Sequence, residues 1–528
     1  MANSNMIAEI NKSFKFIIIV IFSLILMTYF SCGLNAPLPQ VLNSSASLST
    51  TNSLIVIVDG ELDKPSYVFV EYWNDQKRLR SRIIESNENR FEITLFNLKA
   101  ETSYEYQVFT VSENEQISSG PVSIFETGKL PEALKDANFN IISGQPSKPI
   151  TFLEFRVSDF MGLVAYDQFG DVVWYYEGIN GDEPYVMDRK SNGNIVYIAG
   201  DHSGTTATGL VEITPEGKEI SRLNDICTEF GPMHHEIQVV NDNEILYMSR
   251  IIDYDGYGGN EIPQEGDTIG IWNQKTGENT IIWDIFDFID PAERTIPDSN
   301  ATLPAVMWGG CDRNNKVQDW SHSNSAKIYN NGNILATFKH LDQVIFIDKE
   351  YKTLKWRLGG PGSDFTFPNK FDQFYDPHDA TLLENGNILL LDNGNGRPFE
   401  EGGPYSRIIE LAIDTATMTA TKVWQYTRPS LFAPCCGSSI RLNNGNTVML
   451  FGMKLPDSAG GILSMDVIRS GNCCGPFYIF EVDQQGNMVW EVEHSIKGQV
   501  AQYRVFPDDS IMGEIIVPNV QTTEKQND

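Results

Sequence analysis

The chain has 528 residues, 41% of them hydrophobic and 21% charged, with 42 glycines and a formal net charge of −31. That composition is globular, long enough for a large core, and carries no disordered low-complexity block. The charge argues against nucleic acid or an anionic membrane as partner, and any anionic substrate needs a local positive site.

At the N-terminus, Lys12 and Lys15 precede an apolar run from Phe16 to Met27, followed by Thr28-Tyr29-Phe30-Ser31-Cys32. A basic start, a short apolar stretch and a small residue before the cut form a secretory signal. The run is short for the alternative, a transmembrane anchor. Cys32 directly after Ser31 resembles a lipoprotein signal, although Tyr29 and Phe30 are bulkier than usual there. Residues 1–31 are therefore expected as signal peptide and Cys32 as the lipidated N-terminus. This predicts an exported protein on the periplasmic or cell-surface side of an outer membrane, touching the membrane only through its lipid. Residues 32–50, rich in Asn, Pro, Ser and Thr, read as a flexible tether.

Residues 51–130 alternate apolar and polar in short runs with turns between them, which predicts a small antiparallel sandwich. The segment "LKAETSYEYQV" resembles the later strands of a fibronectin type III domain, with Leu98, Tyr104 and Tyr106 as core residues. From about 140 to 515 the chain repeats itself. Six copies of a turn and strand close on an aromatic or apolar residue, at Trp174, Ile220, Trp283, Trp356, Trp424 and Trp490. Five Asn-x-Asn hairpin turns recur, at 192–194, 241–243, 331–333, 385–387 and 444–446. Four-stranded units repeated at this spacing predict a six-bladed β-propeller, so the fold class is all-β: a propeller preceded by a sandwich. Residues 516–528 form a polar tail.

Beyond Cys32 the chain has Cys227, Cys311, Cys435, Cys436, Cys473 and Cys474. An even count in an exported chain favours disulfides, with the 435–436 and 473–474 pairs bridging each other. The alternative is a zinc site, whose usual spacing is C-x2-C rather than C-C.

Blades are related by rotation, so residues at one register form a ring around the axis. His378 lies seven residues before Asn385, His234 and His235 seven and six before Asn241, and His322 nine before Asn331. Three blades thus place imidazoles at the head of the strand before the turn. If that strand is innermost, they converge on one mouth of the channel. Lys339-His340 closes the hairpin after His322, and Asn393 to Arg397 closes the one after His378. Ser438 stands ahead of Asn444. Lys339 and Arg397 are candidate oxyanion binders, and Asn393, Ser438 and His340 candidate substrate contacts. Glu236 and Asp379 each follow a histidine and should point to the opposite face, as supporting or blade-to-blade partners.

The segments "GPMHHEIQVVNDNEILYMSR", "QDWSHSNSAKIYNNGNILATFKHLDQVIFID", "LKWRLGGPGSDFTF" and "DPHDATLLENGNILLLDNGNGRP" together resemble the bacterial arylsulfate sulfotransferase family over roughly residues 140–500. The resemblance implies sulfuryl transfer from a phenolic sulfate ester to a phenolic acceptor, without a nucleotide donor. It makes His378 the transiently sulfated nucleophile, with His322 and His235 or His234 as helpers. Where the family carries an arginine, "FKH" supplies Lys339, which keeps the charge and loses the bidentate fork. The chemistry suits these residues: sulfuryl transfer resembles phosphoryl transfer, where positioning and electrostatics dominate. No G-x-x-x-x-G-K-[ST] loop is present, and no cofactor is expected. Two rivals remain: a metalloenzyme using these histidines with Glu236 or Asp379, and a non-catalytic binding propeller.

Overall fold

A computed structural model of the chain describes residues 37–512, apart from 87, 113, 158–159, 180, 201–206, 225–231, 254–262, 294–305, 309–315, 330, 349, 351, 430, 435, 453–475 and 496–501. The signal segment, Cys32 and the polar tail lie outside these residues, as do all of the six later cysteines except Cys436.

Two sheets come first. Val41–Leu48, Val56–Leu62 and Arg90–Leu95 form one, and a second is built on Ser66–Trp73, Ser103–Val111 and Ile117–Glu126. They close on a core that includes Val58, Val70, Tyr72, Leu98, Tyr104, Tyr106 and Phe125. Leu98, Tyr104 and Tyr106 are core residues, and the Lys99 amide donates to the Tyr104 hydroxyl at 3.0 Å. The tether expectation is corrected here. Residues 41–48 form the first strand, paired along its length with Val56–Leu62. Its polar side chains had masked it: an edge strand exposed on one side buries little and needs only its backbone to pair.

Six sheets follow, antiparallel except where Gln264–Asn273 and Lys316–Asp319 pair in parallel in blade 3. Blades 2 to 6 begin with their innermost strands, Glu183–Arg189, Met233–Val239, Ser323–Ile328, Pro377–Leu382 and Ser438–Arg441. Blade 1 is closed from both ends of the chain. Its inner strand is Val505–Asp508, laid beside Ile150–Val157, while Asn140–Gly144 adds an outer strand to blade 6 beside Met488–His494. This explains why six outer turns accompany five Asn-x-Asn turns. Each of those turns joins an innermost strand to the next, and blade 1 takes its innermost strand from the other end of the chain.

The repeated asparagines have a local cause. In all five turns the first Asn side chain accepts from the backbone N–H two residues on, at 2.9–3.0 Å. That is an Asx turn. In three blades the last Asn also donates to a glutamate one strand further out, Asn194 to Glu212, Asn387 to Glu410 and Asn446 to Glu481, each at 2.6 Å. The outer aromatics pack between blades: Trp174 is buried and donates its indole N–H to Pro215 of blade 2 at 2.7 Å.

The inner strands are bulged. Register shifts fall between Tyr185 and Met187, Met233 and Ile237, Ser323 and Ser325, and His378 and Thr381. At or beside them Val186, His235, His322 and Asp379 take φ of 44°, 59°, 47° and 56°. Left-handed backbone at non-glycine residues costs on the order of 1–3 kcal/mol each. A bulge re-aims side chains that regular alternation would turn into the blade.

Candidate active site

The three bulged strands of blades 3, 4 and 5 bring the histidines together. The His235 ring centroid lies 4.8 Å from that of His234 and 5.0 Å from that of His322, and His322 lies 4.6 Å from His340. His378 joins through Tyr503, whose ring is 6.4 Å from His378 and 5.2 Å from His235. The hairpin carrying Lys339 folds back as expected: the Lys339 amide donates to His322 O at 3.0 Å and the His340 amide to Ser321 O at 3.3 Å.

Hydrogen bonds fix which nitrogen each ring offers. His322 Nδ1 lies 2.5 Å from Asp319 Oδ2, which leaves Nε2 open. His340 donates Nδ1–H to Asp319 O at 2.6 Å, and its Nε2 faces Lys339 Nζ at 3.4 Å. His234 Nε2 lies 3.0 Å from Asp267 Oδ1, and its Nδ1 is 2.6 Å from His235 Nδ1. His378 has a long contact, 3.4 Å, from Nδ1 to Asp376 O, so Nε2 carries the available lone pair. Lys339 is 1% exposed, with Nζ also 3.6 Å from Asp376 Oδ2.

Burial sets the charge states. His378 is held well below the usual histidine range, first by burial and then by Lys339, Arg504 and His322. His235 and His340 are lowered as strongly, by burial and by their cationic or imidazole neighbours. His378 is therefore neutral at neutral pH, the form in which it is a nucleophile. Burial alone would neutralise Asp319, but His322 and His340 outweigh it and keep the carboxylate ionised. That carboxylate is the group that holds the His322 ring through Nδ1.

Glu236 and Asp379 pair with groups from other blades. Asp379 pairs with Lys327 of blade 4 at 2.6 Å and accepts from the Ser439 amide of blade 6 at 2.9 Å. Glu236 lies 3.5 Å from Arg504, and burial pushes its carboxyl up to about 7.

Three further candidates make contacts within the scaffold. Arg397 is corrected as an oxyanion binder: its guanidinium pairs with buried Asp392, donates to Gln373 O at 3.2 Å and stacks on Tyr375 and Tyr405. A charge already neutralised at van der Waals contact has little left for a ligand. Ser438 Oγ accepts from the Val505 amide at 3.2 Å, joining blade 6 to the closing strand. Asn393 donates to Ala433 O at 2.7 Å and Cys436 O at 3.2 Å, while its Oδ1 is buried without a hydrogen-bond partner.

Asp319, His322 and His340 each offer a ligand atom within 4.8 Å of the others, the group among the described residues that a metal would use. Hydrogen bonds already account for that closeness, and Lys339 beside His340 opposes a cation. Tyr503, Arg504, Asp319 and Asp267 had no sequence signal; the carboxylates sit outside the repeat register, and Tyr503-Arg504 precedes the closing strand.

These features define a β-propeller whose channel mouth gathers histidines from three blades beside a buried lysine. The profile of the arylsulfotransferase (ASST) family matches residues 138–504. The chain belongs to that family. It is 22% identical over 353 residues to the arylsulfate sulfotransferase AssT of Escherichia coli O6:H1, covering 55% of this chain and 56% of that protein. The AssT of Lelliottia amnigena is 20% identical over 346 residues, with the same coverage. The match thus spans a little over half the length of these curated relatives. Among solved structures, a protein of unknown function from Bacteroides caccae aligns with TM-score 0.40 at 15% identity, covering 69% of this chain and 98% of that one. A streptogramin B lyase aligns with TM-score 0.34 at 11% identity, covering 69% and 89%. Likeness at that level carries no functional argument.

Proposed function

We propose that the protein moves a sulfuryl group from a phenolic sulfate ester to a phenolic acceptor through a sulfohistidine at His378. The observation that carries this reading is the buried, neutral His378 with Lys339 among its nearest cations. His378 Nε2 attacks sulfur, the N–S bond forms and the S–O bond to the aryl group breaks. The departing phenolate, whose conjugate acid has a pKa near ~10, takes a proton from the imidazolium of His322. In the second half the acceptor phenol returns a proton to His322, its oxygen attacks sulfur and the N–S bond breaks. Lys339 faces the sulfuryl oxygens in both halves, and His235 packs edge-on against His322. General acid–base help of this kind contributes roughly 10²–10⁴-fold.

The test is a chromogenic aryl sulfate with and without phenol. Donor alone should give a stoichiometric burst and a sulfated histidine in a peptide containing His378; added phenol should make release catalytic. Release that ignores the acceptor, or sulfation elsewhere, overturns the reading. The N-terminal segment further supports export and lipidation at Cys32. Intact mass of the mature protein tests that, and an unmodified Cys32 would contradict it.

A further inference from the structure

Arg504 stands one residue before the closing strand, is 3% exposed, and lies where the inner strands meet. Its Nη2 donates to Asn324 O of blade 4 at 2.6 Å, and its Nη1 to Gly437 O, at the head of the blade 6 inner strand, at 2.8 Å. Its backbone N–H donates to Glu154 of blade 1 at 3.2 Å, and the other oxygen of Glu154 accepts from Val186 of blade 2 at 3.3 Å. Its guanidinium lies 3.5 Å from Glu236 of blade 3 and 3.9 Å from Asp379 of blade 5. Through its side chain and its backbone N–H, one residue thus reaches, directly or through Glu154, the inner strand of every blade or the residue beside it.

Two of those contacts bear on catalysis. Glu236 directly follows His235 and Asp379 directly follows His378, both in the bulges that turn the imidazoles to the channel. Asn324, whose carbonyl Arg504 holds, donates to Pro377 O at 2.7 Å and accepts from the Asp379 amide at 3.3 Å. Arg504 also lies over the ring of Tyr503 at 4.2 Å, the ring set between His235 and His378. We propose that Arg504 is a positioning residue for sulfuryl transfer, an axial clamp that sets His378 and His235 against each other by holding the carboxylates that follow them. This rests on His378 being the sulfated residue.

A purely structural arginine and a positioning one differ in what they change. His378 faces Lys339, Arg504 and His322, while Arg504 faces Tyr503, Asp379, Glu236 and Glu154. Removing the Arg504 charge leaves carboxylates less balanced near His378. Its protonation then becomes easier, and the acid limb of the sulfation rate moves to higher pH. A misplaced nucleophile also slows the step itself; a shift of about 1 Å can cost 10²-fold.

The experiment uses the full chain as wild type, Arg504→Lys, Arg504→Gln and Glu236→Gln, with a chromogenic aryl sulfate as probe. Single-turnover sulfation, donor KM, the pH profile and thermal unfolding are read for the folded fraction of each. Arg504→Gln is expected to slow sulfation about 10²-fold with donor KM little changed and the acid limb raised. Arg504→Lys keeps the charge and loses the fork, so it should restore the acid limb and remain slow. Glu236→Gln, which leaves the Arg504 bonds to blades 4 and 6 in place, should slow sulfation less and keeps the test alive if Arg504→Gln fails to fold. Wild-type sulfation rates and pH profile in the folded fraction of these variants overturn the clamp while leaving the proposed function intact. If wild type forms no sulfohistidine, the proposed function falls, and the clamp with it.

Discussion

At the residue scale, the site turns on a conflict between burial and charge. A buried imidazole loses its proton readily, and Lys339, Arg504 and His322 push His378 further in the same direction. Protonation is therefore deferred to well below the ordinary value of about 6.5. With a nitrophenyl sulfate, whose leaving group needs little help from an acid, sulfation of His378 should stay flat from about pH 8 down to about pH 6. An acid limb centred on the ordinary histidine value would contradict this. His378→Ala should abolish the sulfated intermediate, detected by mass spectrometry of the trapped enzyme. Lys339→Ala should instead slow its formation by about 10²-fold, roughly 3 kcal/mol, the usual loss for one oxyanion partner. Lys339→Arg should transfer at least as well as wild type, because Asp376 at 3.6 Å can hold a fork in place of a point charge. Unchanged transfer in Lys339→Ala, measured as phenol-dependent release, would remove lysine from the site.

At the scale of elements, much of the arrangement was legible. The Asx turns announced themselves because one bond, from the first Asn side chain to an amide two residues on, demands Asn at a fixed offset. The histidine register followed, since residues a constant distance before such turns share a height on the axis. Arg397 misled because a charged residue in a turn reads the same whether it is offered to a ligand or, as here, bound to Asp392. Tyr503 and Arg504 were invisible because their strand is recruited from the far end of the chain and carries no turn to align on. The bulges were hidden too, since φ near 50° at His235, His322 and Asp379 follows from the packing of neighbouring blades and not from residue type. Strain of that kind needs support from below. Asp379 supplies it by joining Lys327 of blade 4 to the Ser439 amide of blade 6. Asp379→Ala takes the carboxylate from the half-buried Lys327 and strips the Ser439 amide of its acceptor, a change that costs about 1–3 kcal/mol. Thermal or denaturant unfolding should show that loss together with a fall in sulfation. A stable, fully active Asp379→Ala would mean that the bulge holds without its partner.

At the scale of the whole molecule, the two ends of the propeller close it at opposite radii. Asn140–Gly144 lies on the outer rim of blade 6, while Val505–Asp508 lies at the axis of blade 1. These seams should not bear equal load. The inner strand pairs Val505 with Leu153 and Phe506 with Phe152, and the Val505 amide also donates to Ser438 at 3.2 Å. The outer strand skips a residue: Ser143 pairs with Glu491 and Ile141 with Val492, leaving Ile142 outside the ladder and 50% exposed. Both are edge strands, where proline is tolerated if the lost N–H had no partner, but the buried Val505 N–H is bonded to Ser438 Oγ. Val505→Pro should therefore lose about 1–3 kcal/mol, and it should also cut transfer, because proline restricts the backbone of Arg504 directly before it. Ile142→Pro should leave both stability and transfer close to wild type. Denaturant unfolding of the two variants, with transfer measured on the folded fraction, decides the matter. Equal losses at both seams would show that closure is shared between rim and axis, and an active Val505→Pro would separate the closing strand from the site above it.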